Sequence, residues 1–109
     1  MTDNRRSATR HEVAIAVTAL VRGRSIESSL EQRFGGTIRN LSLGGAFVHM
    51  ERRLSIGTPM SLRFEIPTHG RPIEASSLVR WSSAEGIGVQ FEGLRAAEVF
   101  ALGKFFEGL

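Results

Sequence analysis

Along one stretch of this chain, apolar Met60, Leu62, Phe64 and Ile66 alternate with polar Ser61, Arg63 and Glu65. A period of two sends successive side chains to opposite faces, so the pattern describes an extended strand with one dry and one wet face. Gly57-Thr58-Pro59 precedes it and Pro67 closes it, since proline has no amide to give an inner ladder. The same period runs through Val13, Ile15, Val17, Ala19 and Val21, interleaved with Ala14, Ala16, Thr18 and Leu20. Both faces of that strand are apolar, which predicts cover on two sides. Arg33 to Leu41 reads as a strand loosened by Gly35-Gly36, and Gly44-Gly45 turns the chain into another at Ala46 to Met50. Ile73 to Trp81 places Ile73, Ala75, Ser77, Val79 and Trp81 on one face, and Ile87, Val89 and Phe91 mark the last strand. The polar stretch from Ser25 to Gln32 reads as a loop or irregular hairpin. Six short strands joined by brief turns predict an all-β domain, a six-stranded antiparallel β-barrel whose closure removes the exposed edges.

The period changes near the C-terminus. Val99, Leu102, Phe106 and Leu109 recur at helical spacing, which predicts a C-terminal α-helix over about 95–107. Gly103 costs it up to ~1 kcal/mol, so packing must hold it. With 109 residues and no internal repeat or linker, the chain is expected to hold one domain, 12–109, behind a flexible N-terminal arm, 1–11.

Composition narrows the chemistry. Zero cysteines exclude disulfides, thiol nucleophiles and thiolate metal sites. His11, His49 and His69 are too dispersed to suggest a metal centre, and no phosphate-binding loop or paired catalytic carboxylates can be located. We therefore expect no enzyme, no catalytic residue, no metal and no cofactor. Absent tyrosine and 7% aromatic residues speak against a base-stacking nucleic-acid barrel, as does a net charge of only +3. Arginine supplies every basic residue except Lys104. Its flat, permanently charged fork suits phosphate and guanine, although a GC-rich genome gives the same bias. Val13 to Val21 is an apolar run behind arginines, but Asp3 and Glu12 spoil a signal peptide and Arg22-Gly23-Arg24 is a poor cleavage site. The run is also far shorter than the ~20 residues that span a bilayer. The expectation is a cytoplasmic protein without membrane insertion.

Two local patterns remain. Arg6-Ser7-Ala8-Thr9-Arg10 is RxxxR, just ahead of the first strand, and Asn40-Leu41-Ser42-Leu43-Gly44-Gly45 contains NxSxxG, at the turn after the second. In an arginine-rich chain the first pattern is expected by chance, and the second residue set can simply build a turn. Their occurrence together, in this order, carries the information.

The combination resembles the PilZ domain family, bacterial receptors for cyclic di-GMP, over nearly the whole chain. Family members carry RxxxR before a six-stranded barrel and [DN]xSxxG after its second strand, and a C-terminal helix usually packs on the barrel. Leu78-Val79-Arg80-Trp81 and Gly86-Ile87-Gly88-Val89-Gln90-Phe91 are similar to the family's last two strands. Asn40 stands where many relatives have aspartate, so an amide that both donates and accepts replaces a carboxylate that only accepts. The resemblance implies a ligand site of Arg5, Arg6, Arg10, Asn40, Ser42, Gly44 and Gly45 for cyclic di-GMP. Arg6 and Arg10 could each meet a guanine O6/N7 edge, stack on a base or bind a phosphate, with Arg5 as an additional phosphate contact. The glycines would allow a turn conformation barred to larger residues and a close approach of ligand to backbone. Binding is expected to reorder the arm and signal to a protein partner in motility, pilus or exopolysaccharide control, from a monomer or weak homodimer. The alternative is a PilZ-type interaction adaptor that binds no nucleotide. Adaptors of that kind generally lack the arginine motif, which is present here.

Overall fold

The computed structural model describes residues 9–22 and 31–109. Strands β1 (His11–Arg22), β2 (Glu31–Leu41), β3 (Gly45–His49), β4 (Pro59–Phe64), β5 (Ile73–Ser82) and β6 (Gly86–Phe91) precede one helix, α1 (Ala96–Glu107). Every strand pairing is antiparallel, and the order β1-β2-β3-β6-β5-β4 closes on itself through β1 and β4. The fold is the expected six-stranded barrel with a C-terminal helix.

Alternation explains the interior. Met60, Leu62, Phe64 and Ile66 are buried, as are Ile73, Ala75, Ser77 and Val79 on β5 and Ile87, Val89 and Phe91 on β6. Val17, Ala19, Ile38, Leu41 and Val48 complete one core, so side chains fill the barrel rather than leaving a channel. Ser77 is the polar exception, and its hydroxyl donates to the Ala75 carbonyl at 2.9 Å. The outer face of β1 is less covered than its composition predicts. Ala14 and Ala16 are exposed there, and only Leu20 on that parity is buried. Small side chains tolerate that exposure at little cost, whereas leucine does not.

Helix α1 starts with the Arg95 amide donating to Glu98 Oε1 at 3.0 Å, which satisfies one otherwise orphaned N–H. Its inward face differs from the expected stripe. Ala101 and Leu102 are buried and Phe105 and Phe106 pack on the core, while Val99 and Leu109 are exposed. Residues 101 and 102 each meet a partner four positions on, so the buried face is the pair of ridges 101–105 and 102–106. Thr68, in the β4–β5 connection, donates its hydroxyl to the Ala101 carbonyl at 2.7 Å. The His11 ring stacks on Phe106 with centroids 4.1 Å apart, which ties the start of β1 to the helix. No helix among the described residues is long and apolar enough to cross a membrane.

Candidate functional site

The site begins with two interruptions of strand register. Between β2 and β3, Ile38 faces Val48 and Asn40 faces Phe47, which leaves Arg39 as an extra residue. Strict alternation from Ile38 would turn Asn40 inward and Leu41 outward. The bulge reverses both, burying Leu41 completely and turning Asn40 to the outer surface. Between β5 and β6, Val79 faces Val89 and Trp81 faces Gly88, so Arg80 is the extra residue there. Trp81, which alternation placed with the core, is consequently on the outside and 41% exposed.

Phe47 on β3, Gly88 on β6 and Trp81 on β5 lie on one cross-strand line. Glycine is what lets the outer two meet. A Cβ on Gly88 would overlap the Trp81 indole, and with none there the ring lies over the β6 backbone. Trp81 and Phe47 then stack, with centroids 5.2 Å apart and planes 6° from parallel, the offset arrangement that aromatic quadrupoles favour.

Beside this aromatic floor, the β2–β3 turn is held by Ser42. Its hydroxyl accepts from the amides of Gly44 and Gly45, both at 3.1 Å, and donates to the Gly45 carbonyl at 3.3 Å. The Ser42 amide donates to the same carbonyl at 2.9 Å. This is the local side chain-to-backbone bonding that serine offers a turn. The glycines do not work as the sequence suggested, because neither adopts a positive φ. Gly45 is required for space instead: a Cβ there would strike the Val89 carbonyl of β6. The Gly44 carbonyl accepts from the Phe91 amide at 2.9 Å, so its backbone joins turn to barrel.

Arg10, exposed just ahead of β1, completes a shallow groove with Asn40, Ser42, Gly45, Phe47, Arg80, Trp81 and Gly88. The two motifs therefore meet in space, through Arg10 and the Asn40–Gly45 turn. Gly44 does not line the groove, and Arg5 and Arg6 lie outside the described residues. Phe47, Arg80, Trp81 and Gly88 are additions to the sequence-based set. The first and last sit opposite each other in a register that no local pattern announces, and the middle pair depends on a bulge.

Two arginines and no carboxylate line the groove. The ion pairs among the described residues, Arg33–Glu31 and Lys104–Glu107, lie elsewhere. The Asn40 side chain lines this groove. The arrangement thus offers two arginines without an ion pair to a described residue, an amide and a flat aromatic surface, with Glu12 on β1 opposite Asn40 at its edge. Its recess is a shallow hollow of about 70 Å³. A larger planar ligand would lie across it and not inside it.

Residues 4–108 match the family model for the PilZ domain. Among solved structures, the chain is similar to the crystal structure of the PilZ domain of CeSA from a cellulose-synthesizing bacterium. The two share 19% sequence identity with a TM-score of 0.67, over 92% of this chain and 97% of that one, a likeness of fold. No curated protein matches.

Proposed function

This chain belongs to the PilZ domain family, and we propose that it is a receptor for cyclic di-GMP whose N-terminal arm orders over the bound nucleotide. PilZ domains are regulatory binding domains and not enzymes. What supports this reading most is the convergence of Arg10, the Asn40–Gly45 turn and the Phe47–Trp81 pair on one positively charged groove.

Each part has a task that suits the ligand. The aromatic pair gives a guanine a face to stack on, a contact worth ~1–3 kcal/mol per base. Arg10 offers its fork to guanine O6 and N7 or to a phosphate oxygen. Asn40 can donate to one group on the base edge and accept from another. Ser42, its hydroxyl occupied by the turn, contributes by fixing the Gly45 backbone beside the ligand. Arg5 and Arg6 would arrive with the arm, covering a nucleotide that the shallow groove alone leaves open to water. Ordering the arm costs ~2–5 kcal/mol of the interaction, and it is this change that a protein partner would read.

Calorimetric titration of the full chain with cyclic di-GMP tests the reading, with GTP and cyclic GMP as controls. Saturable binding of cyclic di-GMP alone is expected, and Arg6→Ala and Arg10→Ala should each weaken it by ~1–3 kcal/mol. Unchanged affinity in both variants removes these roles. Absence of binding, together with capture of a protein partner, would favour the interaction adaptor.

A further inference from the structure

We infer that Arg80 is a second phosphate-binding residue, engaging the cyclic dinucleotide from the far side of the groove to Arg10. The inference deepens the receptor reading and rests on it. Arg80 lies outside both sequence motifs, and its position follows from the β5 bulge. In a regular strand, adjacent residues point to opposite faces. The extra residue between Val79 and Trp81 instead puts Arg80 and Trp81 together on the groove. Bulges that re-aim a side chain in this way recur beside functional sites.

The charges of the lining suit a ligand with two anionic groups. Asn40, Phe47, Gly88 and Trp81 follow one another across β2, β3, β6 and β5. Arg10 borders this row on the β1–β2 side and Arg80 on the β5 side, with no carboxylate between them. Neither arginine forms an ion pair with a described residue. A cyclic dinucleotide carries two phosphates, one for each arginine. Arg39 provides an internal contrast, because it is the extra residue of the β2–β3 bulge, is exposed, and does not line the groove.

The test is the affinity of the full chain for cyclic di-GMP, measured over a series of salt concentrations, in the wild type, Arg80→Ala, Arg80→Lys and Arg39→Ala. Losing a charge-assisted contact should weaken Arg80→Ala about tenfold or more, and flatten the salt dependence because one ion contact is gone. Arg80→Lys should keep the wild-type salt dependence and recover most of the affinity, since a phosphate accepts a point charge. Arg39→Ala should bind as the wild type does, and the unliganded thermal midpoint should not move in any variant. If the wild type binds and Arg80→Ala binds equally well, this inference fails while the receptor reading stands. A weaker Arg80→Ala with an unchanged salt slope overturns the phosphate assignment, and an equal loss in Arg39→Ala reduces the effect to general surface charge. Absence of wild-type binding overturns both readings together.

Discussion

Gly88 shows how a missing side chain can build a site. Its lack of a Cβ lets the Trp81 indole lie flat over β6 and reach Phe47. Gly88→Ala should therefore leave the barrel folded but displace the indole, with an overpacking cost of ~1–3 kcal/mol. Thermal unfolding should report that loss, and tryptophan emission should shift to the red as the ring leaves Phe47 for water. Retention of the wild-type spectrum and stability would mean that the indole does not rest on Gly88. At this scale the sequence was readable only in part. Asn40 and Ser42 declared themselves through a motif, and Arg10 through its spacing from Arg6. Trp81 did not, because its parity with Ile73 and Val79 assigned it to the core and nothing in the side chains around Arg80 reveals an extra residue in the ladder.

Among the elements, the strands were the legible part and the helix face was not. Apolar residues two apart on β4, β5 and β6 turn inward as their alternation requires. On α1, the apolar residues nearly encircle the helix, so several stripes compete, and packing against the barrel selects Ala101, Leu102, Phe105 and Phe106. Leu102 is wholly buried at the centre of that contact. Leu102→Ala should cost ~2–5 kcal/mol in denaturant unfolding, whereas the same change at exposed Leu109 should cost little. Equal effects at the two positions would contradict the assigned face. The stack of His11 on Phe106 gives this helix a mechanical link to the residue next to Arg10. Ordering of the arm would thus be felt at α1, and His11→Ala should loosen that link. Faster amide exchange in the last two turns of α1 is expected in His11→Ala, and unaltered exchange would leave the stack without a coupling role.

For the molecule as a whole, closure of the barrel and the placement of its motifs follow from ordinary physics. Six antiparallel strands leave no edge when β1 meets β4. The β1–β2 pairing, which sets His11 against Leu41, carries the β2–β3 turn to a fixed place beside Arg10. The breadth of the groove was not legible, since it depends on which strands become neighbours: β3 pairs with β6, which brings Phe47 within reach of Trp81. The chain supplies its own reporter of this arrangement, because Trp81 is its only tryptophan and it has no tyrosine. Fluorescence titration of the full chain with cyclic di-GMP, against GTP as control, addresses the groove directly. A base stacked on the aromatic pair predicts saturable quenching of Trp81 by cyclic di-GMP alone, and weaker quenching in Arg10→Ala. Emission that stays constant while calorimetry registers binding would locate the nucleotide elsewhere on the protein and contradict the site described.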